Sequence, residues 1–243
     1  MFLPTNTKNK DSLLDSFKEL KSYSRARLPK KVSRLILTKV LNKENPYKEY
    51  NDRYRCIFVH IPKTGGTSIS KALFGSEFGH CTVDHYEIFS PERFRNYFKF
   101  AFVRNPWDRL LSAYKFLKKG GMYSADKTWS DIYLSEFDNF ESFVLSLKNK
   151  QQADRILRGI HFIPQYKFVC DYKLNIKVDF LGRFERLNRD FDKINAQLNS
   201  NFKLLHLNKS NSNSFHEYYS DEMIDIASQI YHRDIEIFEY KYT

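Results

Sequence analysis

The chain has little cysteine: three residues in 243, Cys56, Cys81 and Cys170, too few for a disulfide framework. It has no run of about 18 apolar residues, so no membrane-spanning helix is expected. Its first residues, Met1-Phe2-Leu3-Pro4-Thr5-Asn6, lack the apolar core of a signal peptide. No metal-ligand spacing of His, Cys, Asp or Glu is evident, so no metal is expected. Internal repeats and low-complexity tracts are missing too. So are zinc-finger spacing, an RRM signature and a basic helix-turn-helix, which sets nucleic acid aside as the expected partner. Acid is short relative to base: 40 Lys and Arg against 29 Asp and Glu leave a net charge of +11.

What is present argues for a globular enzyme. Hydrophobic residues make up 42% and aromatics 16%, too much apolar surface for a disordered chain. A chain of 243 residues can bury the core of one large domain. Cys56 opens an apolar run and reads as a small core residue. The basic surplus suits a polyanionic substrate. Seven of the Lys and Arg fall between Arg25 and Lys43 without an acid, interleaved with Val32, Leu35, Ile36, Val40 and Leu41. That stretch reads as a basic amphipathic helix, with peripheral contact to an anionic membrane or packing on the domain as its two roles. Residues 1–52 are expected to form a basic helical arm and residues 53–243 the catalytic domain.

The most informative segment runs from Cys56 to Ser68. Apolar Cys56 to Ile61 ends at Pro62. Lys63, Thr64, Gly65, Gly66, Thr67 and Ser68 follow, and then Ile69, Ala72 and Leu73 recur at helical spacing. This predicts strand, tight loop, helix. Glycines let backbone N–H groups converge, and the new helix directs its positive end at an anion. Lys63 adds a mobile charge, and Thr64, Thr67 and Ser68 add donors. The loop is not the Walker motif, because the lysine precedes the glycines and Gly-Lys-Ser/Thr occurs nowhere.

A second strand-to-helix segment follows. Phe98 to Val103 suits a buried strand and ends at Arg104. Asn105 is a good N-cap, Pro106 fits the first helical position, and Asp108 resembles a shortened capping box. Trp107, Leu110, Leu111 and Tyr114 form the buried stripe. Arg104 and Ser112 make a second anion clamp, the guanidinium being suited to phosphate. Elsewhere, Lys118 to Ser135 reads as a loop. Asp138 to Leu147 reads as a helix capped by Asp138 and Glu141, Val178 to Leu181 as a strand, and Ser220 as the cap of one final helix carrying Ile224, Ala227, Tyr231, Ile235 and Phe238. Strands alternating with helices predict an α/β fold, a P-loop-like parallel sheet flanked by helices on both faces, with the ligand at the strands' carboxyl ends.

Together these segments resemble the sulfotransferases that use 3′-phosphoadenosine 5′-phosphosulfate (PAPS). The match is to the carbohydrate branch, which includes heparan sulfate 2-O- and chondroitin sulfotransferases and bacterial relatives. His60 to Ser68 looks like its 5′-phosphosulfate loop, and Phe102 to Tyr114 like its 3′-phosphate site. Weaker matches follow in order at His161 to Tyr166, Phe180 to Leu187 and Leu207 to Ser210. The resemblance covers about Arg55 to Tyr242. It implies that Lys63 contacts the leaving 5′-phosphate and the sulfuryl oxygens, with Gly65, Gly66, Thr67 and Ser68 as further donors. Arg104 and Ser112 would hold the 3′-phosphate, and Asn208, Lys209 and Ser210 would close over the nucleotide. PAPS is then the co-substrate, without a metal, and the acceptor a carbohydrate, neutral or anionic. Animal Golgi members carry a membrane anchor, and its absence here suggests a cytoplasmic bacterial enzyme. A base for the acceptor hydroxyl is sought at His80 or His85. In the resembling heparan enzymes a catalytic histidine precedes the second motif, and His80 fits that place better. His60 reads as a packed support of the loop, and His161 as a residue of the acceptor cleft or of the framework. The rival readings are a P-loop-type kinase, and a basic module that binds nucleic acid or membrane without catalysis.

Overall fold

The computed structural model describes residues 45–76, 79–204 and 214–242. The amphipathic stretch 25–43 and Asn208, Lys209 and Ser210 lie outside those residues. Tyr47–Thr243 forms one compact unit. Its first half runs α1 (Glu49–Tyr54), β1 (Cys56–Val59), α2 (Gly66–Phe74), α3 (Val83–Phe89), α4 (Pro91–Asn96), β2 (Phe98–Val103) and α5 (Pro106–Lys118). The second half runs α6 (Ser124–Tyr133), α7 (Phe140–Ser146), α8 (Lys150–Ile156), α9 (Tyr166–Val169), β3 (Phe180–Arg183), α10 (Leu187–Gln197), α11 (Asp221–Ile230) and α12 (His232–Ile237). No helix among the described residues is long and apolar enough to cross a membrane.

The three strands form a parallel sheet in the order β1-β2-β3. Cys56 pairs with Phe98 and Val59 with Ala101, while Phe100 pairs with Phe180 and Val103 with Arg183. This is the α/β architecture that the alternation of strands and helices predicts. On one face Cys56, Phe58, Phe100 and Phe102 meet Ile69 and Leu73 of α2 and Phe191 and Ile194 of α10. The intervening Ile57, Val59, Ala101 and Val103 are also fully buried, so the opposite face is covered as well. Each buried phenylalanine of the sheet contributes about 1.5–3 kcal/mol. Gly182 of β3 makes room for one of them, because a Cβ there would lie 2.5 Å from Phe102 Cε1.

Several expected boundaries change. Lys118 to Ser135 is not a loop: Gly120 and Gly121 end α5 with positive φ, and α6 starts directly after. The Asp126 carboxylate accepts the Met122 and Tyr123 N–H groups at its N-terminus, a local cap that apolar spacing does not announce. α7 is capped one residue later than expected, by Asn139 reciprocally with Ser142, while Phe140, Phe143 and Val144 remain its buried face. β3 runs two residues further, to Arg183, because it is extended by pairing with β2 and not by its own apolar run. The final helix breaks at Tyr231 into α11 and α12. There the Asp234 carboxylate, fully buried, accepts the Gln165 and Tyr166 N–H groups, which ties α12 to α9.

Candidate functional site

β1 and β2 deliver their carboxyl ends side by side, and both candidate anion segments start there. Lys63 stands in the left-handed region, φ +69°, a strained conformation for a residue with a Cβ. Two arginines hold that turn. Arg104 Nη1 donates to the Lys63 carbonyl at 3.2 Å, and Arg109 Nε donates to the Pro62 carbonyl at 2.9 Å. Gly65, at φ +81°, caps α2. Gly66 is required by packing: a Cβ there would lie 1.9 Å from His60 Cδ2. His60 is buried and stacks on Phe58, the framework role expected of it.

The loop offers a set of donors. The N–H groups of Gly66, Thr67 and Ser68, first in α2, have no hydrogen-bond partner among the described residues, nor do the hydroxyls of Thr67 and Ser68. Thr64 behaves differently from its neighbours. It is fully buried, and its hydroxyl donates to the Ile61 carbonyl at 2.9 Å, so it braces the turn. The Lys63 ammonium lies 3.7 Å above the Phe116 ring. Burial, and then the charge of Arg104, push its pKa down to about 8.

Arg104 joins the two segments. Its Nε and Nη2 form a bidentate pair with Asp108, and its guanidinium lies 4.2 Å over the Phe184 ring. Asp108 therefore serves Arg104 and does not complete a capping box. Asn105 caps α5 alone, accepting from Trp107 and Asp108 N–H, while its own N–H goes to Glu185. Of the five guanidinium N–H groups three are engaged, which leaves one on Nη1 and one on Nη2 for an anion. Ser112, one turn beyond Asp108 on α5, is partly exposed and its hydroxyl has no partner among the described residues.

The histidines separate by environment. His80 lies against the loop: its ring centroid is 4.2 Å from that of His60, and its Nδ1 is 2.9 Å from the His60 carbonyl. A carbonyl only accepts, so the proton sits on Nδ1 and Nε2 presents a lone pair. Burial pushes the His80 pKa down to about 4 despite that bond, and the ring is neutral at physiological pH. His85 lies instead within α3, buried, its ring against Phe89. His161 stands opposite His80 with ring centroids 6.4 Å apart, and its Nε2 is 3.1 Å from Asp126 Oδ1.

Four contributors escaped the sequence reading. Arg109, 1% exposed, donates to the carbonyls of Pro62, His161 and Ile163, and so fastens the loop to the segment before α9. Gln165 brackets Arg104, accepting its N–H and donating to its carbonyl. Phe116 supports Lys63, and Asp126 orients His161. Arg109 left a trace in the sequence as a charged residue beside the apolar stripe of α5, and Gln165 as part of the match at His161 to Tyr166. Among the described residues no group of three or more His, Cys, Asp and Glu converges as a metal site.

Comparison with known proteins bears on this arrangement. Carbohydrate sulfotransferase 14 of Danio rerio is 29% identical over 175 residues, covering 58% of this chain and 45% of the relative. The Homo sapiens protein of that name is 27% identical over 168 residues, covering 59% and 44% respectively. An uncharacterized protein of Archaeoglobus fulgidus is 30% identical over 102 residues, 42% of this chain and 67% of that one. The chain thus spans less than half the length of the two sulfotransferase relatives. No solved structure matches. A profile of the sulfotransferase family matches residues 49–241, from α1 to the residues after α12. Both strand-loop-helix segments and all three strands fall within that match, and the chain belongs to the sulfotransferase family.

Proposed function

We propose that this protein transfers a sulfuryl group from PAPS to a hydroxyl of a carbohydrate. One observation carries the reading: Arg104 is bonded to the Lys63 carbonyl, so an ammonium, the unpartnered N–H groups of α2 and a guanidinium with two remaining donors converge at the ends of β1 and β2. A donor with an anhydride at one end and a 3′-phosphate at the other needs two such clamps. The carbohydrate acceptor is carried over from the names of the relatives.

The residues divide the work. Gly66, Thr67 and Ser68 bind the 5′ end through backbone N–H groups and two hydroxyls. Arg104 and Ser112 take the 3′-phosphate, which excludes plain adenylates. The acceptor oxygen attacks sulfur in line, the bond from sulfur to the bridging oxygen breaks, and the electron pair leaves on the 5′-phosphate. Lys63 neutralises the charge that develops on that oxygen. His80 presents a neutral Nε2 to the acceptor side.

The test is calorimetric titration with 3′-phosphoadenosine 5′-phosphate (PAP) against 5′-AMP and ATP, without metal, with Arg104→Ala alongside. Tight PAP binding, weak binding of the other two and loss in the variant are expected. Equal binding of ATP, or no binding of PAP, overturns the reading.

A further inference from the structure

His80 and His161 face one another at 6.4 Å, nearly perpendicular at 77°, but they are not equivalent. Among the described residues no carboxylate is hydrogen-bonded to His80: its Nδ1–H goes to the His60 carbonyl, and Asp126 favours a protonated ring only through its more distant charge. His161 bonds through Nε2 to Asp126 Oδ1, and the carboxylate is itself fixed by the Met122 and Tyr123 N–H groups. A carboxylate only accepts, so the His161 proton sits on Nε2. Its Nδ1 then carries a lone pair that is buried and without a hydrogen-bond partner among the described residues. Buried polar atoms are nearly always paired, and an orphan acceptor beside a reaction centre calls for a donor that arrives with a ligand.

We propose that His161, oriented by Asp126, is the base that takes the acceptor proton, and that His80 positions the acceptor by accepting a hydrogen bond at Nε2. The inference rests on the sulfuryl-transfer reading above. As the new O–S bond forms and the bond to the bridging oxygen breaks, the hydroxyl proton moves to His161 Nδ1. The imidazolium so formed is neutralised by Asp126. The charged and titratable groups facing His161 are Asp126 from α6, Lys63 from the loop, Arg109 from α5 and His80 from the segment before α3. Only Asp126 favours the protonated ring. Burial lowers the His161 pKa and Lys63 and Arg109 lower it further, so the carboxylate is what keeps the base usable. Burial acts to raise the Asp126 pKa, but its bonds to Met122, His161 and Tyr123 outweigh that and hold it below the usual carboxylate range. Gly121 provides the space: at φ +70°, a Cβ there would fall 2.1 Å from Asp126 Cβ.

The test uses the full chain and needs no identified sugar. PAPS hydrolysis, with water as acceptor, is followed against pH in the native protein and in His161→Asn, Asp126→Asn and His80→Asn, with PAP affinity measured for each. His161→Asn is expected to lose about 10²-fold or more in rate, with PAP affinity within about twofold. Asp126→Asn should move the acidic limb of the profile to lower pH, because the ring loses the partner of its charged form. In parallel, ¹⁵N spectra of the histidines with PAP bound should show His161 protonated at Nε2 and titrating above His80. A silent His161→Asn, an acidic limb that follows His80, or the reverse tautomer or titration order overturns the assignment. Failure of the native protein to bind PAP overturns the donor reading instead.

Discussion

Lys63, Gly65, Gly66, Thr67 and Ser68 come from one six-residue stretch, whereas His80, Asp126 and His161 come from three segments far apart in the chain. The donor cradle is mostly backbone: orphan N–H groups of α2, a left-handed lysine and carbonyls held by Arg104 and Arg109. The histidine pocket is made of side chains: His80 is fixed by the His60 carbonyl, and His161 by Asp126, which two backbone N–H groups hold in turn. The difference suits the two tasks. On the proposed reading a phosphosulfate group would be met by a fixed set of dipoles that need no adjustment during reaction. A proton must be taken and released, which requires groups with titratable neighbours. Three residues join the regions among those described: Arg109, which holds carbonyls on both sides, His60, whose ring packs on Gly66 while its carbonyl holds His80, and Phe116, whose ring lies against both the Lys63 ammonium and the His161 ring.

The largest expected effect separates the two regions. Lys63→Ala should lower the rate by about 10²–10³-fold, because it removes the charge at the leaving oxygen. PAP affinity should fall by much less, since the backbone donors remain. Single-turnover transfer and calorimetry on one preparation check both halves of that expectation. Arg109→Met should damage both regions together. It strips donors from the Pro62, His161 and Ile163 carbonyls, at a cost of about 3 kcal/mol in urea unfolding. A variant of native stability would show that those carbonyls find other partners.

Gly66→Ala tests the joint at His60. The added methyl meets the His60 ring, which is caught between Phe58 and His80 and has nowhere to swing. Overpacking of this kind costs about 1–3 kcal/mol. The displaced ring should also move His80, so the Nδ1 resonance of His80 is expected to shift along with the loss of PAP affinity. If affinity falls and the His80 resonance stays in place, the two regions are independent at this joint.

This contrast also governs what the sequence discloses. The cradle was legible because loop and helix start are contiguous and each residue type has a local reason: glycine for positive φ, proline and asparagine for a helix start, an apolar run for a buried strand. The parallel sheet follows from the same alternation. Asp126 was hidden because its segment read as a loop around Gly120 and Gly121, although Ala125, Trp129, Ile132 and Tyr133 fall at helical spacing. His161 was visible as a residue, but its role depends on a carboxylate 35 positions away, which only the fold brings to 3.1 Å. Thr64 shows the converse error. A hydroxyl in an anion loop reads as a ligand, yet this one is spent inside the turn on Ile61.

The smallest expected effect turns on the protonation of Lys63, where the cradle behaves like the pocket. Burial, together with Arg104, brings its pKa from 10.5 down to about 8, so the free protein sheds this proton in an accessible range. On the proposed reading PAP takes the ammonium form, so its affinity should hold below pH 8 and weaken above it, by no more in total than the loss that Lys63→Ala shows. Stability runs the other way. Between pH 8 and 10.5 the unfolded chain binds the proton that the folded chain has released, so this group makes the fold more stable as pH rises through that window. Lys63→Arg, which keeps its charge throughout, should flatten both trends. Calorimetry of PAP binding and urea unfolding at pH 7, 8 and 9 measure them. A native affinity that does not change across pH 8 would mean that the ammonium does not touch the bound nucleotide, and would leave the backbone donors as the whole of the 5′ site.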